Sequence, residues 1–334
     1  MRHQTYAESG VDIQAENRAI NAMKTILTTK RKGFGAPITE IGHYAGLLDM
    51  GSYALAMTTD GVGSKVLIAN ILKKWDTIGI DCIAMNVNDL LAIGAEPIAF
   101  VDYLAVEKVE LERAAQIAVG LQKGAEVSNM TIVGGETASL PEIIRGFDLA
   151  GTAIGFVDKD KIVTGEKIEV GDVLVGVPSS GLHSNGYTLA RKIISESKYT
   201  YFDKIPGSKK TIGEELLTPT RIYMEILKVV RNCDVHGLAH ITGSGLLKLH
   251  RITDLGYEIT DPMEPQPIFR FLQELGNIED AEMYRTFNMG MGFVAIMSEK
   301  DSSKACQIMG PGSKMIGSIV PEGLKLKELE LKGA

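Results

Sequence analysis
The chain has 334 residues, 45% hydrophobic and 23% charged, a balance that suits a folded protein with core enough for two ordinary domains. Its formal charge of −7 excludes a general attraction to nucleic acid or to an anionic membrane. An anionic ligand would need local attraction from a metal ion, helix N-termini or a few Lys and Arg. No apolar run reaches the roughly 18 residues of a membrane span, and "MRHQTYAESG" lacks the apolar core of a secretion signal. Cys82, Cys233 and Cys306 are odd in number and form no CxxC, so reduced thiols in a cytoplasmic protein are expected.

Residues 1–50 are polar and then glycine-punctuated, which reads as an arm or flap rather than core. "YALAMTT" (53–59) reads as a strand running into Asp60. Residues 77–94 read as a helix stopped by Gly94, with Pro97 just beyond. A strand over 98–106, a helix over about 109–127, and strands over 130–137 and 148–157 follow. The charged stretch 158–172 lacks regularly spaced large apolar residues and marks a domain boundary, giving domains of 1–165 and 166–334. The second unit opens with the strand "VLVGVPS", the loop "SGLHSNG" and the helix "YTLARKII". "TPTRIYMEILKVV" reads as a helix with Thr218 as N-cap and Pro219 at its first position. "LAHITGSGLLKLHRI" repeats the order strand, Gly-rich loop, helix, and residues 283–297 form a glycine-broken lead into a strand. The closing "KLKELELK" reads as a solvated edge. The class is mixed α/β in two domains.

"TTDGVGSK" resembles a phosphate-cradling loop, yet Ser64 rather than Gly precedes Lys65, and Asp60 stands in front. A carboxylate would repel polyphosphate unless a cation stood between them, so Asp60 reads as a Mg²⁺ ligand, with Gly61 and Gly63 giving room for close approach. The plain alternative is an ordinary Asp-Gly turn. Asp81, Asn88 and Asp89 lie in an otherwise apolar helix, where polar groups are costly unless satisfied. Asp81 and Asn88 are seven residues apart and share a helix face. Asp102 poses the same cost within its strand, and Glu136 follows Gly134 and Gly135. Together these acids point to a Mg²⁺–polyphosphate site with Asp60, Asp81, Asp89 and Glu136 as metal ligands. In the second domain, "SSGLHSNGYTLARK" and "HITGSGLLKLHR" offer Gly, Ser and Thr ahead of helices, where free N–H groups suit a phosphate-bearing substrate. Ser180, Gly181, Ser184, Asn185, Thr242 and Gly243 are the candidate substrate contacts. His183 and His240 could move a proton near neutral pH, or be structural.

Read in order, "YAESGVDI", "IGHYAGLLDM", "TTDGVGSK", "DTIGIDCIAMNVNDL", "GAEPIAFVDY", "VGGETASLP", "SSGLHSNGYTLARK", "LLTPTRIY", "VHGLAHITGSGL" and "EMYRTFNMGMG" resemble the aminoimidazole ribonucleotide synthetase family. The resemblance runs from Tyr6 to Gly292. It implies an ATP-dependent ring closure of formylglycinamidine ribonucleotide through a phosphorylated amide. It also implies a homodimer joined through the first-domain sheets. On this resemblance Asp60, Asp81, Asn88, Asp89 and Glu136, with Gly61, Gly63 and Gly135, would hold ATP through Mg²⁺. Lys65 and the N-terminal arm would steady the phosphates. The second-domain loops would hold the ribose phosphate or close the cleft.

Two departures stand out. Ser139-Leu140-Pro141-Glu142 replaces the family's usual Glu-Met-Pro-Gly, and Ser244 stands where Gly is frequent. The other functions of the superfamily fit less well. Selenophosphate synthetase needs a reactive Cys near its start, and the first here is Cys82. Thiamine monophosphate kinase shares the acid-rich first domain but not "HSNGY" or "MYRTFN".

Overall fold
The computed structural model describes Gly10 and residues 13–331; most of "YAESGVDI" lies outside the described residues. A helix, α1 (Ile13–Ile26), precedes the first sheet. That sheet contains β1 (Gly46–Asp49), β2 (Tyr53–Gly61), β3 (Glu96–Val106), β4 (Thr131–Ser139) and β5 (Phe147–Asp158), in the order β1-β2-β5-β3-β4. β5 buries every second residue, from Phe147 through Leu149, Gly151, Ala153 and Gly155 to Val157, as a sheet covered on one face requires. The cover is α3 (Ile78–Leu91) and α4 (Leu111–Ser128), while the short α2 (Lys65–Leu72) follows the "DGVGS" loop. α3 and α4 cross at backbone contact: a Cβ on Gly79 would lie 2.5 Å from the Ile117 carbonyl oxygen. The opposite sheet face carries exposed apolar side chains, among them Tyr53, Met57, Val101, Tyr103, Val133 and Phe156.

The second domain has α5 (Tyr187–Ser195), α6 (Ile212–Leu216), α7 (Glu225–Asn232), α8 (Pro267–Gly276), α9 (Asp280–Thr286) and α10 (Glu299–Met309). Its strands are β6 (Val173–Pro178), β7 (Val235–His240), β8 (Gly256–Ile259), β9 (Met291–Met297), β10 (Lys314–Val320), β11 (Leu324–Leu326) and β12 (Leu329–Glu330). They order as β12-β11-β8-β10-β6-β9-β7, mixed parallel and antiparallel. β7 and β9 are buried at every residue, so both sheet faces are covered there. β7 ends the sheet at the first domain, where its last residue, His240, meets α3.

Four elements differ from the sequence reading. Residues 44–49, read as arm rather than core, bury Tyr44, Ala45 and Leu47 and contain β1. Residues 218–223 are not helical, and α7 begins only at Glu225. Their backbone groups bond first-domain side chains instead, which a helix from Thr218 would preclude. The segment after "TGS" is a 3-10 helix, Gly245–Arg251, rather than an α-helix. The C-terminal edge adds two short strands to the sheet.

Candidate active site
α3 faces the second domain with the residues its seven-residue spacing aligns. Asn88 donates through Nδ2 to the Arg221 carbonyl (2.8 Å) and accepts the Tyr223 N–H at Oδ1 (3.1 Å). Asp89 Oδ1 lies 2.9 Å from His240 Nδ1. The same His240 ring has Nε2 3.3 Å from Asn88 Nδ2 and stacks on Phe293. A carboxylate and an amide from one domain thus hold a histidine from the other.

Asp60, next to last in β2, lies beside this group and accepts the Gly61 N–H at 2.7 Å. Burial first, and then the negative charge of Asp89, push its carboxyl up to about 6; the Gly61 N–H, His240 and Lys248 pull the other way. Lys248, on the 3-10 helix, is held below the ordinary lysine value by burial, with Arg251 acting in the same sense and Asp89 and Asp60 opposing. Two acids of the first domain therefore face a histidine and a lysine of the second.

His183 lies deeper, with φ of +65°, a left-handed conformation uncommon outside glycine. Its Nε2 accepts the Ser180 N–H at 3.3 Å and lies 3.4 Å from the Tyr223 hydroxyl. Burial holds its pKa well below the usual imidazole value, and His240, Lys65 and Arg221 push the same way, so the ring is neutral at pH 7. The His183 and His240 rings lie 6.4 Å apart. Gly292 makes room for the pair: a Cβ there would sit 1.7 Å from the Tyr223 hydroxyl oxygen.

The two second-domain loops meet here as well. Ser180 donates to the Pro219 carbonyl (2.7 Å), and the Gly181 carbonyl accepts from Asn288 (2.8 Å). Ser184 Oγ lies 3.2 Å from Thr220 Oγ1. A Cβ on Gly243 would come 2.8 Å from Asn185 Oδ1, so these loops touch, with Thr242 buried beside them. Asn185 Nδ2 is buried without a hydrogen-bond partner among the described residues.

Three expectations need correction. Lys65 and Asp81 are fully buried and pair with each other at 2.8 Å, closed off from any cleft. The Lys65 ammonium donates to Asp81, the His183 carbonyl and the Thr218 carbonyl, so it does not point to a phosphate site. Glu136 does not join Asp60. Pairing across the sheet runs Asp60, Gly151, Asp102, Gly135, so those positions share one face. Glu136, one residue on, is paired with Tyr103 and faces the other side of the sheet, exposed. The four acids therefore do not converge, and among the described residues no three His, Cys, Asp or Glu side chains cluster as metal ligands. Gly63 packs against the second domain, its Cβ direction 3.8 Å from the Ser184 carbonyl oxygen.

Sequence reasoning missed Lys248, Thr220, Arg221 and Tyr223 as parts of this seam. It noted the cost of Asp102 without assigning it a place. Asp102 occupies the line between Asp60 and Gly135, and a Cβ on Gly135 would meet its Oδ1 at 2.4 Å. Burial raises its pKa.

Two mixed sheets meet at a seam of acids and histidines, and the chain matches the two AIR synthase related domains. The N-terminal domain model matches residues 42–157 and the C-terminal domain model residues 169–327. The chain is 66% identical to phosphoribosylformylglycinamidine cyclo-ligase of Methanosarcina barkeri over 99% of both chains. It is 63% identical to the enzyme of that name from Methanococcoides burtonii, again over 99% of each. The chain belongs to the phosphoribosylformylglycinamidine cyclo-ligase family. Among solved structures, AaThiL complexed with AMPPCP and TMP matches with a TM-score of 0.67 at 16% identity, covering 97% of this chain and 99% of that one, a likeness of fold. No helix among the described residues is long and apolar enough to cross a membrane.

Proposed function
We propose that this protein closes an imidazole ring at the expense of ATP, converting formylglycinamidine ribonucleotide to 5-aminoimidazole ribonucleotide. The γ-phosphoryl group of ATP passes to the amide oxygen of the substrate, leaving ADP. An internal nitrogen then attacks the activated carbon, and that oxygen departs as phosphate. Phosphate leaves with a pKa of about 6 to 7 against about 15.7 for water, a difference worth at most about 12 to 13 kcal/mol. The observation that carries this reading is the seam where Asp60 and Asp89 face His240 and Lys248.

Asp60 and Asp89 fit Mg²⁺. Asp89 raises the proton affinity of Asp60, a repulsion that a cation between them would relieve. Mg²⁺ is ordinarily held by one or two carboxylates together with phosphate oxygens and water, so a third protein acid is not required. When bound, the ion would neutralise charge on the phosphate oxygens of ATP. Lys248 adds positive charge from the other domain. Gly61 donates its N–H to Asp60, Gly135 gives Asp102 its room, and Asn88 fixes the seam. Ser180, Gly181, Ser184, Asn185, Thr242 and Gly243 line the substrate side. His183, neutral and adjacent, suits removal of the proton from the attacking nitrogen, and His240 is oriented by Asp89. The domain division is placed at 165/166, and the enzyme in the cytoplasm.

The exposed apolar face of the first sheet supports a homodimer formed by pairing that face with a second copy. A Val101→Glu/Val133→Glu variant should then sediment as a monomer where the parent sediments as a dimer.

Purified protein with Mg²⁺ and ATP should release one phosphate for each formylglycinamidine ribonucleotide consumed. Equal turnover with thiamine monophosphate, and none with this substrate, would overturn the assignment.

A further inference from the structure
Lys65 opens α2 directly after the "DGVGS" loop, where a phosphate ligand is expected, yet its ammonium is fully buried. It bonds Asp81 Oδ1 at 2.9 Å, the His183 carbonyl at 3.1 Å and the Thr218 carbonyl at 2.7 Å. An ammonium has three N–H donors, and these three acceptors use them all. Asp81 Oδ1 also accepts the Thr220 N–H (2.7 Å) and hydroxyl (2.6 Å). One ion pair of the first domain therefore grips the second at residues 183, 218 and 220. Ser64 Oγ adds a contact to Thr188 Oγ1 at 3.3 Å.

A buried ion pair is a weak source of stability, since apolar side chains of similar volume frequently do as well or better. What this pair supplies is geometry. The His183 carbonyl is fixed by Lys65 while His183 holds a left-handed backbone, and the ring is thereby aimed at Tyr223 and His240. The non-helical backbone of residues 218–223 is fixed by the same pair and carries Tyr223, the hydroxyl partner of His183.

We infer that Lys65, with Asp81, is a positioning device for ring closure: it sets the His183 loop and the 218–223 strap against the first domain, and it does not bind ATP. The inference rests on the ring-closure reading given above.

The test is Lys65→Met/Asp81→Leu, which removes both charges together. Hydrogen exchange, affinity for a non-hydrolysable ATP analogue, and kcat and KM are measured beside the parent. Amides of residues 180–186 should exchange at least tenfold faster in the variant. Analogue affinity should stay within threefold. The kcat for ring closure should fall about 10²-fold, the scale of a displacement near 1 Å, with the KM for ATP unchanged. A tenfold loss of analogue affinity would make Lys65 a nucleotide ligand and overturn the inference. Unchanged exchange, or near-parental kcat, would overturn it too. If the double variant does not fold, Thr220→Val keeps the ion pair and removes one grip: a fall of about tenfold in kcat, again with ATP affinity intact, is expected. No change in kcat there would overturn the inference. A parent protein that does not turn over formylglycinamidine ribonucleotide defeats the ring-closure reading instead, and the exchange result then stands as the test of the grip.

Discussion
Asp60 and Asp81 stand 21 positions apart, both in apolar surroundings and both with the sequence signature of a metal ligand. The fold treats them oppositely. Asp81 is fully buried, its Oδ1 accepts from Lys65 and Thr220 and its Oδ2 lies 2.8 Å from the Lys65 ammonium, so its charge is matched within the protein. Asp60 accepts a single backbone N–H, and burial with the repulsion of Asp89 outweighs the pull of His240 and Lys248, so its charge is only partly matched. A buried acid paired with a buried ammonium holds a structure together. One left short of partners beside another acid is poised for a cation.

The largest expected effect falls on the satisfied pair. Lys65→Met alone leaves Asp81 buried without its counter-ion, which typically costs about 3–5 kcal/mol, read as a lower denaturant midpoint. A midpoint within experimental error of the parent would erase the contrast between the two acids. Asp60→Asn should do the reverse. Turnover should drop on the order of 10²-fold, about 2.7 kcal/mol of lost transition-state stabilisation, while the midpoint hardly moves. Parental turnover would return Asp60 to an ordinary turn.

Gly135→Ala probes the acid between them. The new Cβ would crowd Asp102 Oδ1 at 2.4 Å, and such overpacking costs about 1–3 kcal/mol by thermal or chemical unfolding. A neutral substitution would mean that Asp102 can turn aside freely.

The smallest effect is in pH. His183 titrates well below its unfolded value, so beneath pH 6.5 the unfolded chain binds the extra proton and stability declines. The decline attributable to this residue is at most about 1.4 kcal/mol per pH unit, and it is absent above pH 6.5. His183→Gln should flatten the difference in unfolding free energy between pH 7 and pH 5.5. An unaltered pH dependence would show that the ring gains its proton in the folded state.

Much of this was legible in the chain itself. The alternation of β5 and the apolar helix carrying Asp81, Asn88 and Asp89 announce two-domain α/β layers and a polar helix face. Gly94 does take a left-handed turn just past that helix. The "HSNG" and "TGSG" loops do meet. Residues 218–223 misled because Thr-Pro is a good helix start, and local propensity yields where tertiary partners claim the backbone. Glu136 misled because its strand position was read without its register.

By itself the sequence determined most of the first domain's strands and helices, which face of α3 is polar, and which residue types gather in glycine-rich loops. Those depend on neighbours within a few positions, where period and propensity act. Only the tertiary structure decided that Lys65 meets the carbonyl of His183, 118 positions away, and that Asp81 meets Thr220, 139 positions away. Charge alone makes an acid a candidate ligand. Whether it stays one depends on burial and on partners from the other domain, because desolvation and pairing are set by what lies across the seam.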